Sequence, residues 1–360
     1  MANNSGAPIV DQPVVSIAQV ISDPESRITF EGPMALVGDQ LEEIKVNDIA
    51  EKPEMNGAFR WLGLTDRYFM TALIPEETVN ATMKMEVVGE DMVISRLVMA
   101  ETAIASGQAE AFEFKAFIGP KATETLQIAN YRLDEAINFG WFDFLAKPFL
   151  WIMNQIYKVL PNYGIAIIIL TLITKVILWP LGNKSYKSMN EMKRIQPLMA
   201  EVREKHKSDK KMMNQEMMAL YRTYKINPMG GCLPMLLQIP VFFALYRMLY
   251  QAIELRHAPF FLWINDLSAP DRLFRFDFSI PLMQPPYGVP VLTLVMGATM
   301  LLQQKMSPPP GDPAQAKMMM LMPIVFTFIF INFSSGLVLY WLVNNVLSIA
   351  QQYYIQKKYA

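Results

Sequence analysis

The hydrophobic positions of this chain follow two different periods, and the change falls near residue 139. Before that point, short segments alternate apolar and polar residues between turn residues, a pattern typical of half-buried β-strands. Residues 1–20 lack it, and we expect them to form a flexible leader. The remainder predicts a partial antiparallel β-sandwich, with strand candidates FRWLG (59–63), RYFMTALIP (67–75), TMKMEVVG (82–89), MVISRLVMA (92–100) and AFEFKAFIGP (111–120).

Residues 139–162 have a helical period and are rich in Trp. A helix with one polar and one apolar face, carrying aromatic residues, suits the membrane interface. A buried helix of a soluble domain is the alternative interpretation. The predicted polar face has Asp143, Lys147, Asn154 and Lys158, and the predicted apolar face has Trp141, Leu145, Ile152, Ile156 and Val159.

Five apolar runs follow and predict a polytopic α-helical membrane protein. A helix needs about 20 predominantly apolar residues to cross a bilayer, and the first run, YGIAIIILTLITKVILWPL, reaches that length. The third run is short, which indicates local thinning of the bilayer. The predicted transmembrane helices are residues 163–181, 232–252, 289–305, 318–333 and 336–352.

Charge divides the chain at the same place. The residues before Phe139 include 22 acidic and 10 basic side chains, whereas the rest include 11 acidic and 22 basic ones. Residues 184–225 form a basic segment with helical periodicity on both sides of HKSDKK, which predicts a helical hairpin. Because basic loops remain cytoplasmic, we expect the hairpin and the C-terminus inside the cell and the acidic domain outside, in the periplasm of a Gram-negative cell. The hairpin residues that we single out are Lys193, Arg194, Arg203 and Lys205.

Methionine is common at the apolar positions of this hairpin. A Met-rich surface adapts to varied partners, but the same residues also suit packing of the two helices against each other. Both interpretations stay open for Met189, Met192, Met199, Met212, Met213, Met217 and Met218.

One cation, Lys175, interrupts the first apolar run. A charge at membrane depth costs a few kcal/mol, so its side chain either reaches back to the headgroups or faces a hydrated cavity between helices. The predicted spans contain no Asp or Glu, which favours a wet cavity over a buried ion pair. Its candidate polar neighbours, which alternatively only hold helices together, are Thr171, Gln238, Asn344 and Ser348.

Enzyme chemistry has little support in the sequence. Cys232 is the single cysteine, and His206 and His257 lie in different segments. Neither HExxH nor GxSxG occurs, so we expect no catalytic residue, no metal site and no cofactor. The mixed charge of the hairpin favours control of topology over binding of nucleic acid. Residues 1–30 lack the basic and apolar regions of a signal peptide.

Several segments closely resemble the YidC family of membrane protein insertases. They are NPMGGCLPMLLQIPVFFALYRML (227–249), ELRHAPFFLWINDLSAPD (254–271), QKMSP (304–308) and SSGLVLYWLVNNVLS (334–348). The resemblance implies a five-helix core around a hydrophilic groove that is open to the cytoplasm and to lipid. Lys175 matches the positive charge of that groove, where the family more often has Arg, and Gln238 matches a groove-lining position. Positions matching the substrate path are Phe242, Met300, Ile329, Tyr340 and Trp341.

The resemblance also implies the setting of the protein. Its partners would be nascent membrane proteins, the ribosome, the Sec translocon and the lipid bilayer of the bacterial inner membrane. Residues 1–138 resemble the C-terminal part of the periplasmic β-supersandwich of that family. The family pattern begins with a further transmembrane helix and a larger periplasmic domain, so we expect this chain to be a truncated or late-starting form.

Two other functions compete with that of an insertase. A small-solute transporter or channel would show internal repeats and broken helices, and the sequence shows neither. A passive assembly chaperone would hold membrane helices without inserting them. Insertion of a small single-span protein by this chain alone would separate the insertase from the passive chaperone.

Overall fold

A computed structural model describes residues 1–21, 23, 29–224, 233–307 and 313–359 of the 360-residue chain. The predictions that involve Lys225, Cys232 and Pro308 lie outside these residues. The chain forms two compact units. The first comprises Met1–Gly140 with Gln251–Ile253, and the second comprises Trp141–Tyr250 with Glu254–Ala360.

The first unit is β-rich. Eight strands form one antiparallel sheet, in which the order β10-β6-β5-β7-β8-β2 continues from β5 to β3 and β4, while β1 and β9 form a separate pair. Helix α1, Thr123–Ala129, follows the strands. The strands are β1 Ile9–Asp11, β2 Val14–Val20, β3 Gly32–Val37, β4 Gln40–Glu43, β5 Glu54–Thr65, β6 Phe69–Pro75, β7 Val79–Val88, β8 Met92–Met99, β9 Thr102–Ile104 and β10 Phe114–Pro120.

The prediction of a flexible leader is wrong. Residues Val14–Val20 form β2, which pairs with β8 in antiparallel register from Val14↔Val98 to Val20↔Met92. Ile17 of this strand is buried in the main core. The pairing supplies backbone hydrogen bonds from residues far along the chain, and the local composition of residues 1–20 gave no sign of it.

The longest strand, β5, organises the sheet. Its residues Glu54–Phe59 pair with β7, its residues Leu62–Thr65 pair with β6, and β3 pairs along Phe59–Thr65. The change of partner beside Arg60 and Trp61 divides the sheet, and both parts contribute to one core. Fully buried members of that core include Phe59, Leu62, Leu64, Met83, Val93 and Leu97. The likeness to a supersandwich stays a prediction.

The second unit is helical. The helices are α2 Asp143–Val159, α3 Tyr163–Ile177, α4 Trp179–Arg194, α5 Gln196–Lys205, α6 Lys210–Thr223, α7 Leu233–Gln251, α8 Val291–Met306, α9 Pro313–Phe330 and α10 Ser335–Tyr359.

Helix α2 buries Ala146, Leu150 and Met153. The apolar side chains of Phe144 and Trp151 are exposed, by 70% and 63%. Apolar side chains therefore lie on more than one side of this helix, and its place in the membrane interface stays a prediction.

The predicted transmembrane helix over residues 163–181 is broken in the structure. Helix α3 ends at Ile177, and α4 begins at Trp179 after a bend of 65°. Pro180 lies in the first turn of α4, where its missing N–H costs nothing, but its ring disfavours continuing α3. Taken singly, none of the helices in the described residues is long and apolar enough to cross a membrane, whereas α3 and α4 reach that threshold together.

The predicted hairpin consists of more pieces than expected. Its first arm is interrupted at Ile195, and α5 begins at the next residue with Pro197 in its first turn. Helix α6 forms the second arm after the turn at 206–209. Ile195 and Met199 are buried against Met192, Met217, Leu220 and Tyr221. Met212 and Met218 are exposed by 42% and 50%. Methionine therefore both packs the hairpin and leaves an exposed Met surface.

The segment between α7 and α8 is held by two adjacent buried charges. Asp271 accepts hydrogen bonds from Trp263 Nε1 and from the backbone N–H of Leu292 in the first turn of α8. Arg272 donates to the backbone oxygens of Pro286 and Ile331, both at 2.8 Å. These bonds connect the segment to the start of α8 and to the residues between α9 and α10.

Candidate functional site

A cluster of polar side chains lies between α3, α4, α7, α8 and α10. Its central contact joins the Nζ of Lys175 on α3 to the Oγ of Ser348 on α10, at 2.6 Å. The Ser348 hydroxyl donates its own proton to the Asn344 backbone oxygen at 2.7 Å. That geometry turns a lone pair of the hydroxyl towards the ammonium, so Ser348 acts as an acceptor for Lys175.

Two residues that the sequence interpretation missed extend this contact. The side chain of Tyr186, on α4, forms hydrogen bonds with Ser348 and with Gln303 of α8. The sequence assigns Tyr186 to a solvated cytoplasmic hairpin. Because α4 packs along α10, Tyr186 instead lies among the helices. The sequence offered one sign of a polar contact here, the amide side chain of Gln303 near the end of an apolar run.

The second half of the cluster joins α7 to α10. Gln238 donates through Nε2 to the Asn344 Oδ1 at 3.2 Å, and its side chain also forms a hydrogen bond with Tyr340. One residue further along α10, the Asn345 Nδ2 donates to the Thr299 Oγ1 of α8 at 3.3 Å. The structure therefore brings together Lys175 and Ser348, and separately Gln238 and Asn344. Asn344 connects the two groups, because its backbone oxygen accepts from Ser348 and its side-chain oxygen accepts from Gln238.

Thr171 does not join this cluster. It is buried, and its hydroxyl donates to the Ile167 backbone oxygen of its own helix at 2.6 Å. Thr174 does the same with the Thr171 backbone oxygen. Such bonds satisfy a hydroxyl within the helix, so neither residue needs a partner on a neighbouring helix.

Two of the five predicted substrate-contacting residues, Phe242 and Trp341, belong to an aromatic cluster. The rings of Phe242 on α7 and Trp341 on α10 meet edge to face at 4.8 Å, and Trp341 contacts Phe330 of α9 at 4.9 Å. Ile329 on α9 is 49% exposed, and Met300 on α8 is partly buried. The predicted positions thus include a packed aromatic group and an exposed apolar side chain.

The four basic hairpin residues that the sequence analysis singles out lie at helix ends. Lys193 and Arg194 occupy the last turn of α4, and Arg203 and Lys205 occupy the last turn of α5. Cations are favourable there because the carbonyl ends of helices carry partial negative charge. Burial raises the pKa of Tyr221 on α6, and the nearby Arg203 lowers it in part.

The apolar helices of the cluster contribute no carboxylate to balance its charge. The sequences of α3, α7, α8 and α10 contain no Asp or Glu, and the single acidic residue of α4 is Glu191, five residues beyond Tyr186. Lys175 is partly buried and donates to a neutral hydroxyl. In the part of the chain that the structure describes, no group of three or more His, Cys, Asp or Glu is placed to hold a metal ion. The arrangement can therefore attract an anionic group from outside the cluster.

Comparison with known proteins gives the family. Residues 155–360 match the family model described as 60Kd inner membrane protein, and residues 1–152 match the model of the YidC periplasmic domain. The chain belongs to the YidC family. This assignment agrees with the motifs in residues 227–249 and 334–348 from which the resemblance was drawn.

Curated relatives of this YidC-family chain are similar along most of its length. It is 46% identical over 367 residues to the membrane protein insertase YidC of Syntrophobacter fumaroxidans, covering 99% of this chain and 65% of that protein. It is 49% identical over 328 residues to the protein of the same name from Syntrophus aciditrophicus, covering 91% of this chain and 57% of that protein. The chain thus spans less than two thirds of the length of these relatives.

A crystal structure of an active YidC insertase, with its first transmembrane domain resolved, aligns over 96% of this chain and 79% of that one. Its sequence identity is 20% and its TM-score is 0.49. That alignment adds nothing to the family assignment.

Proposed function

We propose that this chain contains the insertion machinery of a membrane protein insertase, which moves short polar segments of nascent proteins into the bilayer. The observation that carries the proposal is the hydrogen bond between Lys175 and Ser348, in a polar cluster whose apolar helices contain no carboxylate. Held by a neutral acceptor, the ammonium keeps its full charge for an incoming anion. A resident carboxylate would neutralise it.

In this mechanism the cluster forms the wall of a hydrated groove. The polar or acidic end of a substrate enters it and meets Lys175, Tyr186 and Gln238 instead of hydrocarbon. The apolar part of the substrate moves along α7 and α9 into lipid. Burial of apolar surface yields about 25 cal/mol per Å², so a whole helix offsets the cost of moving a short polar tail. No nucleotide is needed.

The helical unit would then be the membrane core, with α3 to α4, α7, α8, α9 and α10 as its five spans. Exposed apolar side chains along α9 support lipid contact, among them Met318, Leu321, Val325 and Phe328. Helix α2 would lie in the interface, where Trp and other aromatic residues are favourable. Trp141, just before α2, is 95% exposed, which suits that position.

We infer that the protein resides in the bacterial inner membrane, with the acidic unit in the periplasm and the hairpin and C-terminus in the cytoplasm. The basic excess of residues 139–360 supports this orientation. Nascent membrane proteins would be the substrates, and the ribosome and the Sec translocon would be partners. Lys193, Arg194, Arg203 and Lys205 would contribute to contacts on the cytoplasmic side.

Replacement of Lys175 tests this function. The purified chain is reconstituted into liposomes with two single-span substrates that differ only in an acidic or a neutral translocated tail. Lys175→Ala should reduce insertion of the acidic-tailed substrate by roughly tenfold, because two opposite charges about 4 Å apart attract each other by roughly 1–4 kcal/mol between bulk water and an intermediate dielectric. Lys175→Arg should retain insertion, because the charge remains.

Two controls make the result specific. Lys210→Ala removes an equal charge from the exposed start of α6 and should leave the difference between the two substrates unchanged. The neutral-tailed substrate should insert nearly as well with Lys175→Ala as with the unmodified chain. Equal insertion of the acidic-tailed substrate by Lys175→Ala would contradict the proposed use of the charge, and an equal loss for both substrates would indicate a structural role.

A small-solute transporter or channel is the second candidate, and one observation favours it. The 65° bend between α3 and α4 is a broken span of the kind that lines solute pathways. Flux of small ions or amino acids in the same liposomes, without insertion of either substrate, would support that function. Insertion without flux would exclude it.

A further inference from the structure

A cavity of about 290 Å³ lies between the first turns of α4 and the end of α10, beyond the polar cluster. This volume is at the lower end of small-molecule sites, which is roughly 300 Å³. Its lining comes from both helices and consists of Trp179, Asn183, Lys184, Lys187, Tyr354, Ile355 and Lys358.

The chemistry of the lining selects for an anion. Three lysines contribute ammonium groups, two from α4 and Lys358 from α10, and none of the described residues that line the cavity is acidic. An anion in the cavity would be approached by positive charge from two helices. The Oδ1 of Asn183 already accepts a hydrogen bond from Gln351 at 2.9 Å. Asn183 can therefore offer a ligand its NH₂ donor.

The two walls of the cavity are held at a defined spacing. Gln351 is buried on α10, and its Nε2 also donates to the Trp179 backbone oxygen at 3.1 Å. A Cβ on Gly182 would lie 2.7 Å from that same Nε2, so glycine permits the close approach of α4 to α10. The cavity is thus built by packed and hydrogen-bonded residues at its base.

The position of the cavity points to a lipid as the source of the anion. Val176 and Ile177, at the end of α3, are 67% and 68% exposed, and Trp179 follows two residues later. An apolar surface therefore ends where the basic lining begins. Trp and Tyr are enriched at the level of lipid headgroups, and basic pockets between membrane helices bind anionic headgroups.

We propose that this cavity binds the phosphate group of an anionic phospholipid. The three lysines and the Asn183 amide contact the phosphate, Trp179 and Tyr354 lie beside the glycerol region, and the acyl chains follow the exposed side chains of α3. Free inorganic phosphate presents the same chemistry without acyl chains. The site is separate from Lys175 and does not depend on whether the chain inserts substrates.

The test uses the whole chain in nanodiscs that contain phosphatidylglycerol and phosphatidylcholine, and counts retained lipids by native mass spectrometry. The variant K184Q/K187Q/K358Q should lose retained phosphatidylglycerol by at least roughly tenfold, while phosphatidylcholine stays unchanged. The matched control K207Q/K210Q/K211Q removes the same charge from the exposed turn between α5 and α6 and should retain phosphatidylglycerol.

A second variant separates charge from folding. K184R/K187R/K358R keeps three cations at the same positions, so it should retain phosphatidylglycerol. Equal losses in the glutamine variant and its control would overturn the proposal, because general surface charge would then explain retention. Loss in the arginine variant together with a changed circular dichroism spectrum would also overturn it, because a folding defect would explain the result.

Two further arms identify the source of the phosphate. Inorganic phosphate at millimolar concentration should not displace phosphatidylglycerol, because it lacks the acyl chains that contact α3; full displacement would overturn the lipid assignment. A fluorescent RNA hairpin should bind the glutamine variant and the unmodified chain equally. Loss of RNA binding with unchanged lipid retention would overturn the proposal in favour of RNA.

Discussion

Gly297 of α8 packs directly against Thr327 of α9. A Cβ at this position would be 2.2 Å from the Thr327 Oγ1 and 3.1 Å from its Cγ2. The threonine hydroxyl is fixed by donation to the Pro323 backbone oxygen at 2.7 Å. Since Thr327 is held by its own helix, a side chain at residue 297 would push α8 and α9 apart.

We predict that Gly297→Ala lowers the free energy of unfolding. Overpacking of this kind costs about 1–3 kcal/mol, against which the higher helix propensity of alanine returns about 0.8–1.0 kcal/mol. The net loss should be at most about 2 kcal/mol and is measured by thermal unfolding in detergent. In a Thr327→Ala background, which removes the two nearest atoms, the loss should largely disappear. An equal loss in both backgrounds would show that the contact is not the cause.

Lys121 is a second residue whose surroundings set its properties. It follows β10 directly, and its backbone N–H donates to the Tyr68 backbone oxygen. Burial lowers the pKa of its ammonium from 10.5 to about 8, and the carboxylates of Asp66, Glu31 and Glu43 oppose that shift only in part. The folded state therefore disfavours the charged form of this lysine.

The consequence is a stability that rises with pH. Below about pH 8, Lys121 is protonated in both the folded and the unfolded protein, and the folded protein bears the full free-energy cost of burying the ammonium. Above about pH 10.5, Lys121 is neutral in both states and that cost is absent. Lys121→Met should therefore stabilise the β-rich unit by about 1–3 kcal/mol at pH 7 and much less at pH 10. Hydrogen exchange of the β5 amides measures the difference from the unmodified chain at each pH. Lys52→Met, at an exposed site, should have no comparable effect. If Lys121→Met stabilised the unit equally at both pH values, burial of the ammonium would not be the cause.

Among the elements, the connection between α7 and α8 is held by buried polar bonds. Arg272 is 8% exposed and donates to backbone oxygens on both sides of the connection, and Asn332 Oδ1 accepts from it at 3.3 Å. Removing the guanidinium would leave those buried acceptors unsatisfied, which costs about 1–3 kcal/mol for each group.

We predict that Arg272→Gln loosens this connection while Arg275→Gln does not. Arg275 is three residues away and exposed, so its replacement removes the same charge without these bonds. Limited proteolysis should cut residues 253–290 at least several times faster in Arg272→Gln than in the unmodified chain. Equal cleavage rates for the two variants would contradict the assignment of Arg272 as the fastening residue.

At the scale of the whole molecule, charge is distributed by unit. The acidic residues predominate in the β-rich unit, and the basic residues predominate in the helical unit. Because lysine and arginine stay on the cytoplasmic side of bacterial membranes, this distribution favours one orientation.

That orientation can be measured with single cysteines in a Cys232→Ala background. Ser106→Cys, at an exposed turn of the β-rich unit, should react with an impermeant maleimide in right-side-out vesicles only. Ser208→Cys, at the exposed turn between α5 and α6, should react in inverted vesicles only. Labelling of both positions from the same side would contradict the proposed topology.

The sequence by itself determined what depends on neighbours within one element. Local hydrophobic periodicity predicts strands β5 to β8 and the helices of the second unit. Short sequence motifs predict the family. The same holds for the polar character of Lys175, Gln238, Asn344 and Ser348, because each stands out within an apolar run.

Only the tertiary structure decided which of these groups meet. The pairing of β2 with β8, the bend at Leu178, the acceptor role of Ser348 and the entry of Tyr186 into the cluster all depend on residues far apart in the chain. Periodicity reports that a side chain is buried or exposed along its own helix or strand. It carries no information about which distant donor or acceptor lies opposite, and hydrogen bonds between helices depend on that geometry.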